Sequence, residues 1–556
     1  MKDKGCKKGT RMKRKTIAMC FGVVVLAGCG GDQSPAPQAE PELKPEPIGV
    51  EVAVAGGLVH GLVGDDGLKQ YHGIPFAAPP VGALRWGPPQ PAPAWTETRD
   101  ATVAGPSCMQ PQGQGGEFYG QSGFAMDEDC LTLNVWTRAD AVGADLPVMV
   151  WIHGGALVTG SGSSYPGELL TTKGVVLVTI NYRLGKFGFL AHPALSAESA
   201  KGVSGNQGLR DQIAALEWVR DNIDRFGGDA GTVTIFGESA GSLSMSLLQA
   251  SPLGAGLFHR VIGESGGAFQ PMWFRDKATA YAASAESAGE AFATALAGPD
   301  KDTGFDALRA LPQDKVLEVF QSNPAFSNYD GHAIVDGEVI PDEVAAIFAE
   351  GRQADVPVLI GSNADEGTTF IALFTPMFGE GVAGFKAYAV ATLPEVADSI
   401  AEHYPAASDA EAERAWADLF TDVLFAYPMR TWARSMENVK SNAYLYLFTW
   451  APPIENSEKY GAFHAAEIGY VFGNVDLFGA KPTPRDYELS DQMATMWTQF
   501  AKTGSPNGEG LPDWPAYTRD NEAYMELGVS TGSKAELRIG EMDLVRRAWD
   551  ARRKAK

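Results

Sequence analysis

One pentapeptide holds the most reactive arrangement in the chain. Gly237-Glu238-Ser239-Ala240-Gly241 places a serine two residues from each of two glycines. Just before it, Thr232-Val233-Thr234-Ile235-Phe236 has the β-branched and apolar composition of a strand, and residues 242–250 read as a helix. A strand that turns sharply into a helix lifts the serine hydroxyl into a cleft, and small flanking residues are needed because side chains there would strike neighbouring backbone. The start of a helix also supplies unpaired amides and the positive end of its dipole, both suited to developing negative charge. This is the chemistry of a nucleophile. An unactivated serine is a poor one, so a base and an orienting acid must come from elsewhere.

His153-Gly154-Gly155-Ala156 closes the apolar run Leu146–Ile152. The Gly154 and Gly155 amides, with that of Ala240, are placed to surround the oxygen of a tetrahedral intermediate, and His153 reads as a structural residue shaping that loop. Among the eight histidines, the chain order nucleophile, acid, histidine admits both His403 and His464, although His403 falls within a helical region. Gly361-Ser362-Asn363-Ala364-Asp365-Glu366-Gly367 supplies the acid after a candidate strand at 356–360, and on physical grounds Asp365 and Glu366 are equally able to orient an imidazole. No HExxH run, paired cysteine ligands or dinucleotide fingerprint occurs, so neither metal nor cofactor is expected.

These groups need a scaffold that brings strand ends together. Leu146–Ile152 and residues 175–180 are almost continuously apolar, as strands buried on both faces are. Within 207–226, Leu209, Ile213, Leu216, Val219 and Ile223 recur every three or four residues, which predicts a helix with one face on a core. Further strands are predicted at 232–236, 356–360 and Ala443–Phe448, with Pro357 a weak point in the second because it removes a ladder donor. The alternation predicts an α/β protein with an open, mostly parallel sheet and chemistry at its carboxyl ends. Residues 381–434, rich in alanine and acids, read as a helical insertion.

Several further motifs fall in register with these. Gly73-Ile74-Pro75-Phe76-Ala77 with Pro79, Pro80 and Arg85-Trp86 is one, and Glu128-Asp129-Cys130-Leu131-Thr132-Leu133-Asn134-Val135-Trp136 is another. Asn181-Tyr182-Arg183 and Gly205-Asn206-Gln207-Gly208 follow. Together they resemble the type B carboxylesterase family of the α/β-hydrolases over nearly all of the chain after Val50. The resemblance implies the α/β-hydrolase fold, a large mostly parallel central sheet flanked by helices with helical insertions, in a single carboxylesterase domain over 51–556. It implies a triad of Ser239, Glu366 rather than Asp365, and His464, with Gly154, Gly155 and Ala240 as the oxyanion hole.

The same resemblance makes Cys108 and Cys130 the family's first disulfide and Arg85 with Glu128 a structural ion pair. Phe269, Met272, Trp273 and Phe274 become acyl-pocket candidates. The implied activity is hydrolysis of a small-molecule carboxylic ester through an acyl-enzyme, without a cofactor. Amide or thioester cleavage would use the same triad. A non-catalytic binding protein on this scaffold is the remaining alternative, disfavoured because its silent relatives lose a triad member and all three are present here.

Composition and chain ends add expectations about destination. A 556-residue chain with formal charge −23 is repelled by phosphate backbones, which argues against a nucleic-acid partner. The first fifteen residues carry eight basic side chains and residues 16–27 are almost wholly apolar, the pattern of an export signal. Leu26-Ala27-Gly28-Cys29 resembles a bacterial lipobox. The expectation is an exported bacterial lipoprotein: a signal peptide over 1–28, an acylated Cys29 holding the chain to the lipid bilayer at an outer membrane, facing periplasm or cell surface, and a proline-rich acidic tether over 29–50. Loss of Cys6 and Cys20 with the signal would leave Cys108 and Cys130 for one disulfide in an oxidising compartment.

Overall fold

In the computed structural model, which describes residues 48–112, 125–299, 303–322 and 333–555, the apolar runs become the middle of a large sheet. Its strands lie in the spatial order Leu62–Val63, Lys69–Pro75, Thr132–Thr137, Val176–Ile180, Leu146–Ile152, Gly228–Glu238, Arg260–Glu264, Val358–Asn363, Ala443–Phe448, Ala523–Leu527 and Gly532–Ala535. From Val176–Ile180 to Ala523–Leu527 every neighbour pair is parallel. The remaining pairs at the two edges are antiparallel. The parallel strands are buried on both faces, and each fully covered Val or Ile side chain contributes about 1.5–3 kcal/mol.

The chain reverses its direction of growth at Leu146–Ile152. The next strand, Val176–Ile180, lies on one side, and after the amphipathic helix Gln207–Asn222 the chain returns on the other as Gly228–Glu238. Such a reversal leaves a crevice at the carboxyl ends of the strands, here beside Ile152 and Glu238. The strand predicted at 232–236 extends through Glu238, because Gly237 pairs with both Ile152 and Gly263. The strand predicted at 356–360 is shifted to Val358–Asn363, with Pro357 just ahead of it. There Pro357 loses no ladder donor, and its carbonyl accepts from Val261 N at 3.1 Å.

The predicted helical insertion forms the helices Gly381–Thr392, Asp409–Thr421 and Tyr427–Ser435, with a π-helical turn at Asp422–Ala426. They share a core of Phe385, Trp416, Phe420 and Phe425 with Trp549 of the helix Ile539–Lys554. Cys108 and Cys130 form a disulfide with a Cα–Cα distance of 5.0 Å. Arg85 and Glu128 make a two-pronged buried ion pair, with both N–O distances 2.6 Å. Removing one member would leave the other charge buried and unpaired, at a cost of about 3–5 kcal/mol.

The membrane attachment expected from the amino terminus is corrected. Among the described residues no helix is long and apolar enough to cross a membrane, and the signal segment, Cys29 and the tether up to residue 47 lie outside the described residues. The membrane-anchored lipoprotein reading rested on a short local motif and has no counterpart in the described fold.

Candidate active site

At the carboxyl end of the strand Gly228–Glu238 the backbone bends through Ser239, at φ 56° and ψ −118°, directly into the helix Ala240–Ala250. Packing explains the flanking glycines. A Cβ on Gly237 or Gly241 would come within 2.4 or 2.0 Å of the Ile152 carbonyl oxygen. The bend is therefore pressed against the end of the neighbouring strand, and only glycine fits on either side of the serine. Gly266, on the loop after the next strand, is constrained in the same way, since its Cβ would lie 2.3 Å from the Ser239 carbonyl oxygen.

The His153–Ala156 loop closes one wall. A Cβ on Gly154 would lie 3.1 Å from Ser239 Cβ, and Gly155 stands at φ 96°. Among the described residues the Gly154 and Gly155 amides donate to no acceptor, and Ala240 opens the helix beside them. These amides are thus available beside the serine hydroxyl. His153 is held in place: its Nδ1 lies 2.8 Å from the Gly154 carbonyl oxygen, its ring stacks on Tyr182, and the Tyr182 hydroxyl donates to the His153 carbonyl at 2.8 Å. Complete burial pushes its imidazole down to about 4, so it is neutral and structural at ordinary pH.

His464 and Glu366 meet across 98 residues of chain, with Nδ1 and Oε2 2.6 Å apart. The second oxygen of Glu366 accepts from the Asn363 amide at 2.7 Å, which orients the carboxylate. Asp365 faces the other way, toward Ala462 and Arg414, which separates the two acids that the spacing left equivalent. His403 lies on the short helix Ile400–His403 against Gly540 and takes no part. Phe370 and Phe425 flank the His464 ring, with centroids 5.2 and 4.5 Å away.

Glu366 is one of four buried carboxyl groups gathered here, the others being those of Glu238, Glu264 and Glu467. Burial, reinforced by the Glu467 and Glu366 charges, holds the Glu238 carboxyl well above the usual carboxylate range. Burial and Glu467 do the same to Glu264. Glu467 is pushed up to about 7, by burial first and Glu366 second, even though it accepts from Asn363 Nδ2 at 2.5 Å. Like charges this close in a low dielectric cannot all ionise, so protons stay within the cluster at neutral pH.

Ser239, Ala240 and His464 open on one cavity of about 420 Å³. Met272 and Trp273 line it, as do Leu157, Leu243, Phe370, Phe420, Leu424 and Phe425. Phe269 and Phe274, grouped with Met272 and Trp273 in the sequence, do not. Phe269 is fully buried against Phe348 and Trp432, and Phe274 bridges to Val335. Sequence reasoning missed the aromatic wall of Phe370, Phe420 and Phe425. Only Phe370, four residues after Glu366, carried a positional hint.

The model of the carboxylesterase family matches residues 49–544 of this chain, nearly all of the described fold. The chain belongs to the carboxylesterase family. This carboxylesterase is 37% identical over 492 residues to fumonisin B1 esterase of Sphingopyxis macrogoltabida, covering 86% of each chain. It is 36% identical over 484 residues to para-nitrobenzyl esterase of Bacillus subtilis, covering 85% of this chain and 93% of that one. It is also 36% identical over 537 residues to liver carboxylesterase of Sus scrofa, with 88% and 91% covered. A solved thermophilic PNB esterase superposes with a TM-score of 0.77 at 33% identity, covering 89% of this chain and 99% of that one.

The family is the carboxylesterase/cholinesterase-like, type B branch of the α/β-hydrolases, and the protein is a serine-hydrolase-type enzyme that cleaves carboxylic esters. The relatives come from mammals and from bacteria, so membership assigns no outer-membrane address, and the lipid-anchored localisation expected from the sequence is withdrawn.

Proposed function

We propose that Ser239, His464 and Glu366 form the catalytic triad and that Gly154, Gly155 and Ala240 donate to the oxyanion. Ser239 Oγ attacks the ester carbonyl while His464 Nε2 takes its proton, and the three amides receive the negative oxygen of the tetrahedral intermediate. The C–O bond to the alcohol breaks as His464 returns the proton to the leaving oxygen. Water, deprotonated by the same imidazole, then attacks the acyl carbon, and the bond to Ser239 Oγ breaks as the imidazole returns the proton to that oxygen, freeing the acid and restoring the serine. Glu366 keeps Nδ1 protonated, leaving Nε2 as the accepting nitrogen. The observation that carries this reading is the 2.6 Å contact of Glu366 with His464, whose ring lines the same cavity as the sharply bent Ser239.

The walls support an uncharged ester as substrate, apolar on both sides of its carbonyl. Among the described residues the cavity lining includes no lysine, arginine, aspartate or glutamate. His464 delivers its proton to the leaving alcohol, so the Phe370, Phe420 and Phe425 wall around it faces the alcohol, and Leu243, Met272 and Trp273 face the acyl group. Stopped-flow hydrolysis of 4-nitrophenyl esters tests the mechanism. A burst of nitrophenol with acylation of Ser239 is expected, and a Ser239→Ala variant should stay folded while losing about 10⁶ in kcat. Turnover undiminished in that variant would end the proposal.

A further inference from the structure

The paired acid and base stand on two separate loops, Glu366 just past the strand Val358–Asn363 and His464 in the segment after Ala443–Phe448. A 2.6 Å contact between loops 98 residues apart requires that something hold the loops at a fixed distance. The residue beside Glu366 has the geometry to do it. Asp365 N donates to the Ala462 carbonyl at 3.0 Å, and Asp365 Oδ2 accepts from Ala462 N at 3.0 Å. One residue thus makes a closed, two-bond clasp onto the loop that carries His464, two positions before the histidine.

The other carboxylate oxygen, Oδ1, accepts from Arg414 Nη1 at 2.6 Å, and Arg414 is itself held by Asp418 at 2.7 Å one helical turn on. Arg414 belongs to the helix Asp409–Thr421, which also carries Phe420 of the cavity wall. Gly461 completes the fit. It stands at φ 62°, and a Cβ there would lie 2.3 Å from Asp365 Oδ2, so the carboxylate rests directly on the glycine backbone. On the far side of the pair, Asn363 Nδ2 donates to the Phe463 carbonyl at 2.8 Å and makes a second, independent tie.

From this arrangement we infer that Asp365, oriented by Arg414, is a positioning residue that staples the Glu366 loop to the His464 loop and so sets the imidazole in reach of Ser239. It touches neither substrate nor reacting atoms. The inference rests on the triad reading above. Its physical content is that a displacement of about 1 Å between catalytic groups costs about 10²-fold in rate, whereas binding in the cavity depends on other walls. Asp365 is partly covered and Arg414 half exposed, so the ion pair's own contribution to stability is small. The effect of breaking it should therefore appear in kcat before it appears in folding.

The test is steady-state hydrolysis of 4-nitrophenyl butyrate by the full chain and by Asp365→Ala, Asp365→Asn and Arg414→Gln, with thermal melts and proton NMR of the downfield imidazole N–H. Asp365→Ala is expected to lower kcat about 10-fold or more with KM within about twofold, and to broaden the downfield resonance. Asp365→Asn keeps an oxygen facing Ala462 N–H and should recover most of the lost kcat. Arg414→Gln should lower kcat about threefold and add nothing in the Asp365→Ala background, as expected for members of one unit.

A folded Asp365→Ala variant with kcat within about twofold of the parent and an unchanged resonance would overturn the inference. If Asp365→Ala fails to fold, an Arg414→Gln variant with parental kcat and resonance overturns it instead. Failure of the underlying triad reading is separate and visible on its own: Ser239→Ala would retain turnover whatever the Asp365 variants do.

Discussion

Glu238 Oε1 lies 3.1 Å from His464 Nε2, the nitrogen opposite the one that binds Glu366, although the contact lacks hydrogen-bond angles. The residue preceding the bent serine thus presents a carboxyl group to the nitrogen that, in the proposed mechanism, accepts the serine proton. Burial and the Glu467 and Glu366 charges keep that carboxyl protonated, so it adds bulk and polarity beside the imidazole rather than a competing negative charge.

A neutral isostere should therefore be tolerated. Glu238→Gln is expected to hold kcat within about threefold near neutral pH, whereas Glu238→Ala, which opens a void beside the imidazole, should lose about 10-fold or more. Steady-state kinetics on one ester, with kcat and KM resolved, checks both. A Gln variant as impaired as the Ala variant would mean that the side chain works as an ionised group.

The carboxyl cluster makes stability depend on pH. Glu467 is raised to about 7 in the folded chain from an ordinary 4.5, so between those values the unfolded chain has released a proton that the folded chain still holds. Its contribution is fully present below about 4.5 and is lost as pH rises through 7. Relative to Glu467→Gln, the parent melting temperature should fall across that window, by an amount equivalent to at most about 3 kcal/mol, and stay level above it. Melts at half-unit intervals from pH 4.5 to 8 read the slope, with Glu238, Glu264, Glu366 and His464 unchanged in both proteins.

Specificity should follow the cavity and not the run of sequence. Trp273 lines the cavity while Phe269 is buried behind it. Trp273→Ala should move the acyl-chain optimum toward longer or bulkier acids. Phe269→Ala should instead destabilise the fold by about 3–5 kcal/mol and leave the profile of the folded fraction unchanged. An acyl-chain series of 4-nitrophenyl esters, run beside urea denaturation, distinguishes the two results.

The bend at Ser239, the proposed nucleophile, makes its own demand. A methyl group on Gly241 would meet the Ile152 carbonyl at 2.0 Å, backbone against side chain with no flexible atom to yield. Gly241→Ala should cost about 1–3 kcal/mol of stability and reduce kcat by displacing Ser239. A variant with parental melting temperature and turnover would show that the first turn of the helix Ala240–Ala250 can move away from the strand Leu146–Ile152 without penalty.

Much of the site was readable before any coordinates, because its demands are local. A serine at a positive φ needs small neighbours within two residues, and a strand buried on both faces must be apolar throughout, so Ser239, Gly154, Gly155 and the strand Leu146–Ile152 each carried a signature in their own neighbourhood. Histidine and acid could be bracketed by chain order alone. The choice between Asp365 and Glu366 came from family resemblance, since adjacent carboxylates look alike until their directions are known.

What the amino-acid sequence determined unaided was the kind of protein: an α/β chain with a mostly parallel sheet, a serine elbow, a glycine loop and a late histidine, set by short-range sterics and hydrophobic periodicity, to which family resemblance added the α/β-hydrolase fold. Only the tertiary structure decided which side chains converge. It gathered Glu238, Glu264, Glu366 and Glu467 into one buried cluster, turned Asp365 onto Ala462 and Arg414, put Phe370, Phe420 and Phe425 on the cavity wall and drew Phe269 behind it. Those outcomes depend on packing between segments up to hundreds of residues apart, and no spacing along the chain encodes the direction in which a side chain finally points.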